Sequence, residues 1–363
     1  MTAIFSDERC FWHSGGNYAL VAPVGGLVQP MITGGLPENP ETKRRLRNLI
    51  EVTGLSRDLD IRTAPEATQE ALRRVHPADY LNEFKRLSDT GGGEMGERTP
   101  FGPGGFEIAA LSTGLVIAAV DGVLRGHFDN AYALSRPPGH HCLPDTPMGY
   151  CLLANIAVAI EAAKAAGLAE RFAVVDWDVH HGNGTEAIFA DDPNVLTVSL
   201  HQAANYPWTT GGVQTDARSN VNIPLPPGGG HVAYTYAVEQ VVRPVLSTFK
   251  PDIIIIACGY DASGVDPLGR MLAGSDTFAA MTRSMMEAAD ELCTGRLAMA
   301  HEGGYSEVHV PFCGHAVLGE MARSQIVAPD PLSPRITAHQ PNERMNAVYR
   351  ELIDEIAVYN GCR

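Results

Sequence analysis

The sequence predicts an α/β fold, a doubly wound parallel sheet with helices on both faces. Three observations predict it. Short runs that are apolar on both faces recur along the chain, stretches of helical length separate them, and polar or glycine-rich residues follow each run.

Taken in order, the strand candidates are 131–135 (AYALS), 172–176 (FAVVD), 195–200 (VLTVSL), 253–258 (IIIIAC) and 297–300 (LAMA). Between and around them the spacing of apolar residues predicts helices over 107–124, 151–166, 232–249 and 275–293. A final helix is predicted over 342–359, within a C-terminal extension that begins near residue 324. The first 60 or so residues read as an irregular flap with helical pieces. Glycine- and proline-rich loops at 91–105, 207–212 and 224–230 are too short to be linkers, so residues 1–363 read as a single domain. Folds of this class bind ligands beyond the carboxyl ends of their strands, and here the polar residues gather at those ends.

Composition narrows the function. The chain has 363 residues, 45% hydrophobic and 19% charged, which excludes a disordered chain and a disulfide mini-scaffold. Lys and Arg number 27 against 42 Asp and Glu, a net charge of −15, so a general nucleic-acid binder is not expected. The 7 cysteines form no C-x-x-C pair and sit mainly in apolar surroundings, where they read as buried thiols. The opening MTAIFSDERC does not read as a signal peptide, and no stretch reads as a membrane span. A cytoplasmic protein with no membrane partner is the expectation.

Four strand ends carry chemistry. The first leads into Arg136-Pro137-Pro138-Gly139-His140-His141, which places two imidazoles on one stiff loop. The second ends in Asp176-Trp177-Asp178-Val179-His180-His181-Gly182-Asn183-Gly184. Alternation along an extended chain points Asp176, Asp178 and His180 the same way. Two buried carboxylates side by side repel, and a divalent cation, a monovalent ion or a buried imidazolium relieves that repulsion. The third strand runs into Gly259-Tyr260-Asp261-Ala262-Ser263, where Asp261 follows a strand with no solvated face. Asp178, His180 and Asp261 then offer three ligands and leave one position open, the pattern of a catalytic zinc site. The fourth strand ends in His301-Glu302-Gly303-Gly304-Tyr305, whose glycines read as freedom for a loop that brings a phenol to a ligand.

Read together and in this order, RPPGHH, DWDVHHGNG, GYDAS with the following DPLGRM, and HEGGYS resemble the zinc-dependent histone deacetylases. The resemblance is closest to bacterial class II histone-deacetylase-like amidohydrolases, relatives of the acetylpolyamine amidohydrolases, and covers roughly residues 40 to 320. It implies an arginase/deacetylase-type domain with a central eight-stranded parallel sheet. It further implies Zn²⁺ on Asp178, His180 and Asp261, with His140 and His141 as paired catalytic imidazoles. Asp176 is then the partner of His140, Asn183 the partner of His141, and Tyr305 the phenol that polarises the carbonyl. Gly149, Tyr150 and Tyr206 would line a narrow tunnel, with Trp208 reshaping its wall and Leu268 at its rim. One or two structural K⁺ ions are implied, one of them held by Asp176, Asp178, His180, Ser199 and Leu200.

The resemblance implies metal-assisted hydrolysis of acetyl-lysine-like amides, with a small amide metabolite, acetylpolyamine or xenobiotic as the alternative substrate. A neutral Asn183 gives His141 no help in holding a proton, whereas Asp176 favours charged His140; His141 is therefore the expected base and His140 the electrostatic partner. A non-catalytic sensor of acylated ligands is disfavoured because every one of these residues is present. An arginase-like binuclear centre is disfavoured because the run is Asp-x-Asp-x-His without a second set of acids. The segment 203–219 is shorter than in close relatives, and Leu268 stands where polyamine-selective relatives carry an acid. Bacterial relatives lead us to expect a homo-oligomer.

Overall fold

The computed structural model describes residues 1–28, 35–214 and 219–362. Residues 215–218 of the shortened segment thus lie outside the described residues. Eight strands form one sheet: β1 (Thr2–Phe5), β2 (Leu59–Arg62), β3 (Asn130–Ala133), β4 (Phe172–Asp176), β5 (Val195–Gln202), β6 (Asn220–Leu225), β7 (Ile253–Cys258) and β8 (Leu297–His301). Their order is β6-β5-β4-β7-β8-β3-β1-β2, and every pairing is parallel.

The five apolar runs are the interior of this sheet and its neighbour β5. Every residue of β4 and β7 is buried, which is why these strands read as unbroken apolar runs. Helices Gly105–Leu124 and Asn155–Ala165 pack together over β1, β3 and β8. A second group, Ser275–Cys293, Val310–Met321 and Glu41–Thr53, packs in sequence over β7 and β8. Two such layers dehydrate both faces of a parallel sheet.

Three strands escape the sequence reading. β1 and β2 are only four residues long and lie at one edge of the sheet. β6 is the opposite edge strand and contains Pro224, which an edge tolerates because one side of the strand has no partner. The N-terminal region is accordingly not a flap in its first stretch. β1 pairs with both β2 and β3, and Glu41–Thr53 is a regular helix.

Two predicted helices differ in detail. The helix placed over 151–166 begins only at Asn155, because Gly149 (φ 53°) and Tyr150 (φ 69°) hold the left-handed region just before it. The helix over 232–249 contains a π-helical turn, Val238–Val242, separated from Pro244 by one residue. Proline has no N–H and its ring crowds the carbonyl four residues back, so the wider turn absorbs the misfit. Gly105–Leu124 is long and apolar enough to cross a membrane by length and composition, contrary to the sequence reading. Most of it is buried inside the fold, as a core helix is.

Arg136, the first residue of the RPPGHH loop, pins the N-terminal region. Its guanidinium donates to the carbonyls of Cys10 and His13 (both 3.1 Å) and to Glu38 Oε1 (3.0 Å). Lys43 Nζ donates to the same Glu38 oxygen at 3.1 Å, and all three side chains are buried.

Candidate metal centre and active site

The loops that carry the predicted site follow β3, β4, β7 and β8, and these four strands are contiguous in the sheet. Their carboxyl ends therefore converge at the sheet centre.

β4 ends at Asp176, so the alternation of an extended strand does not extend through Asp178 and His180. Local hydrogen bonds do that work instead. Asp178 N donates to Asp176 Oδ1 (3.0 Å), and His180 N donates to Asp178 Oδ1 (2.9 Å). Each carboxylate caps the backbone two residues on, an Asx-type turn repeated once. Trp177 and Val179, between them, are completely buried in the core.

Asp178, His180 and Asp261 come together, all buried, with one ligand atom from each within 4.8 Å of the others. His180 Nδ1 lies 3.0 Å from Asp178 Oδ1 and 3.0 Å from Asp261 Oδ2. Asp261 Oδ1 accepts the N–H of Val179 at 2.8 Å, but its Oδ2 is buried without a hydrogen bond. One ring nitrogen carries at most one proton and cannot satisfy two carboxylates. A divalent cation can, and two carboxylates with one imidazole are a donor set that suits it.

Glycines fit the backbone around this cluster. A Cβ on Gly303 would stand 2.3 Å from Asp261 Oδ2 and 2.6 Å from Asp178 Oδ2, and Gly303 N donates to Asp178 Oδ2 at 2.8 Å. A Cβ on Gly259 would stand 2.2 Å from that same Asp178 oxygen. The glycine of HEGGYS that precedes Gly304 thus serves close approach rather than loop motion.

The paired imidazoles are adjacent, with ring centroids 4.0 Å apart, and differ in partner. His140 Nδ1 meets Asp176 Oδ2 at 2.8 Å, and His141 Nδ1 meets Asn183 Oδ1 at 2.7 Å. Burial disfavours charge on His140, yet the carboxylates of Asp178 and Asp176 outweigh it and hold the pKa well above the ordinary histidine value. Burial and the positive His140 hold His141 well below that value. An amide oxygen opposite His141 Nδ1 places the proton on that nitrogen and leaves Nε2 as the basic one.

A cavity of about 160 Å³ opens onto these groups. His141, His180 and Tyr305 lie in its lining, followed by Gly149, Tyr150, Tyr206 and Leu268. His140 and Asp176 stand behind it and do not line it. A Cβ on Gly149 would come 2.4 Å from His141 Cδ2, so only glycine lets the wall close against the imidazole. Tyr206 packs edge-on to His141 (5.1 Å, 88°), and Tyr150 edge-on to Tyr305 (5.8 Å, 74°). Trp208 is 69% exposed and belongs to the mouth rather than to a buried wall. Of the five residues implied for potassium, Asp176 and Ser199 are partners across β4 and β5, with Leu200 next along the strand.

Five further residues shape the site. Asp266, in the DPLGRM run, accepts from Tyr305 N and from Leu268 N, both at 2.8 Å. Burial and the charge of Asp261 push its pKa up to about 8. Glu302 Oε2 accepts from Gly139 N (2.7 Å) and His140 N (3.1 Å), and burial pushes this carboxyl up to about 7. Glu302 announces itself in sequence by standing between a buried strand and a glycine pair, whereas Asp266, between Val265 and Pro267, carries no such signal. Val21, Arg98 and Asn205 also line the cavity, brought there by long loops that carry no local signal.

A family model for the histone deacetylase domain matches residues 36–321. The chain belongs to the histone deacetylase family. It is 53% identical over 365 aligned residues to a histone deacetylase-like amidohydrolase of Pseudomonas aeruginosa, covering 99% of this chain and 96% of that protein. Histone deacetylase 8 of Arabidopsis thaliana is 32% identical, with 96% of this chain and 95% of that one covered. Among solved structures, the crystal structure of the HDA15 HD domain matches with a TM-score of 0.78 at 29% identity, over 96% of this chain and 99% of that chain. This histone deacetylase family member thus has the arginase/deacetylase fold that its motifs imply, and family membership supports hydrolase activity as a deacetylase or amidohydrolase.

Proposed function

We propose that the protein is a zinc-dependent amidohydrolase that removes acetyl groups from acetyl-lysine-like amides. One observation carries the reading. Asp178, His180 and Asp261 cluster together, and His180 lines a cavity whose lining also includes His141 and Tyr305.

Asp178, His180 and Asp261 would hold the ion, with Asp261 Oδ2 gaining the partner it lacks. A divalent ion there supplies Lewis-acid chemistry towards an amide carbonyl and a water molecule. His141, its Nδ1 proton engaged by Asn183, takes a proton from the attacking water on Nε2 and later returns it to the departing amine. His140 stays cationic against Asp176 and stabilises negative charge as it develops. Burial, together with the charges of Asp261 and Asp178, keeps the Tyr305 phenol protonated, so that it donates to the developing oxyanion. Tyr150 and Tyr206 hold the acyl-bearing arm and exclude water.

A potassium ion on Asp176, Ser199, Leu200 and the backbone of Asp178 and His180 belongs to the same reading, as do a cytoplasmic location and a homo-oligomer. A second reading keeps this centre and directs it at a small amide, a choice supported by the compact cavity. The deciding experiment measures amine release from a fluorogenic Nε-acetyl-lysine amide and its trifluoroacetyl analogue, before and after chelation and zinc restoration. Chelator-sensitive turnover of both supports the deacetylase. Turnover of the trifluoroacetyl amide alone supports the small-amide reading. No turnover of either by zinc-loaded protein overturns both.

A further inference from the structure

Among the described residues, the mouth of the cavity is rich in unused hydrogen-bond donors and is lined by no acid. Arg98 lines it, with its guanidinium carbon 5.4 Å from the centre of the Tyr206 ring. Among the described residues no hydrogen bond reaches this guanidinium. Its nearest carboxylate among the described residues is Glu97, 3.8 Å away, which is half exposed and outside the cavity lining. Two neighbouring lining groups are also unpartnered: Asn205 Nδ2 and the Tyr206 hydroxyl are both buried without a hydrogen bond. No Asp or Glu among the described residues lines the cavity.

Arg98 is held in place by its backbone. It takes a left-handed conformation (φ 58°), rare for a residue with a side chain. The carbonyls of Glu97 and Arg98 accept the N–H groups of Gly149 and Tyr150, both at 3.0 Å. The residue is thereby tied to the wall that faces the scissile bond, and its position is fixed relative to the base of the cavity.

We propose that Arg98, with Asn205 Nδ2 and the Tyr206 hydroxyl, forms a carboxylate-binding subsite at the mouth. The enzyme then selects acylated amines that carry a carboxylate at the end remote from the scissile amide. This rests on the amidohydrolase reading and specifies its substrate class. A guanidinium fork pairs with a carboxylate through two parallel N–H bonds, and a cationic polyamine would instead meet like charge. The carboxylate has two sources: the free α-carboxylate of an Nε-acyl-lysine, or an acidic side chain beside an acyl-lysine within a peptide.

The test uses two matched pairs of probes on the full chain loaded with zinc. The first pair is Nα,Nε-diacetyl-lysine and its methylamide. The second is Nα-acetyl-Asp-Lys(acetyl) amide and its Asn counterpart. Both kcat/KM and calorimetric Kd are read for wild type, Arg98→Gln, Arg98→Lys and Asn205→Ala. We expect the anionic member of one pair to be favoured by about tenfold. The ratio should fall to about one in Arg98→Gln, be partly kept in Arg98→Lys and be reduced in Asn205→Ala. Preference within the first pair identifies the free α-carboxylate, and preference within the second identifies the flanking acid. Ratios near one in wild type, or a ratio that survives Arg98→Gln, would overturn the subsite. If no probe is turned over yet the Kd ratio follows Arg98, the subsite stands and the amidohydrolase reading fails.

Discussion

Asp266 Oδ2 accepts the backbone N–H of Tyr305 at 2.8 Å, and so holds the phenol-bearing loop from beneath. The same carboxylate fixes Leu268, so one side chain sets both the base and the rim of the cavity. Asp266→Ala should lower kcat by about tenfold with a smaller effect on KM, because it misplaces a donor needed in the transition state. Tyr305→Phe should cost about 10²–10³ in kcat. Steady-state kinetics on both variants checks the pair. A loss below threefold for Tyr305→Phe would remove the phenol from the mechanism.

The glycines around the carboxylate cluster are predicted to be indispensable for metal binding. Gly303→Ala would drive a methyl group to 2.3 Å from Asp261 Oδ2. Elemental analysis of purified Gly303→Ala should find less metal per chain than in wild type. The substitution Gly212→Ala, whose nearest neighbour would be 3.7 Å away, should keep its metal.

Metal loading should also raise thermal stability. A ligand that binds only the folded chain stabilises it by about 2.7 kcal/mol at one hundred times its Kd. Differential scanning calorimetry should therefore show a higher Tm with zinc than after chelation. In Asp261→Asn the two curves should move together.

Asn183→Asp tests which imidazole is the base. An anionic partner favours imidazolium, so the pKa of His141 rises and the base is available only at higher pH. The acidic limb of kcat/KM should move up in pH. A limb that stays in place would give the role of base to another group.

Glu38 ties the N-terminal region to the RPPGHH loop and should make stability pH-dependent. Burial would raise its pKa, but Arg136 and Lys43 together bring it down from 4.5 to about 2. The folded form thus releases this proton more readily than the unfolded chain. The associated stability, about 3 kcal/mol, is present above pH 4.5 and is lost as pH falls through about 2. Thermal unfolding at pH 6 should show Glu38→Gln well below wild type, since it leaves two buried cations unpaired. That gap should narrow at pH 3.

The Asp178, His180 and Asp261 cluster and most of the sheet were legible because burial writes itself into sequence. β4 and β7 have no solvated residue, and the acids that follow them cannot be read as surface charge. β1, β2 and β6 were not legible: β1 and β2 are four-residue strands whose pairing partners lie far away in the chain, and β6 is an edge strand interrupted by Pro224. Asp178 and His180 come together with Asp261, but Asx-type turns rather than strand alternation aim them. Arg98 and Asn205 were invisible because only tertiary packing brings their loops to the cavity.

The crowding around Gly259 and Gly303 divides the cavity by its tolerance of change. At the bottom even one added methyl displaces a carboxylate, so that layer admits almost no variation. At the mouth, Trp208 is 69% exposed and, among the described residues, the Arg98 side chain makes no hydrogen bond that a replacement would orphan. A library that varies Arg98, Asn205 and Trp208 while leaving the glycines untouched would retune what enters the cavity without disturbing the chemistry performed there.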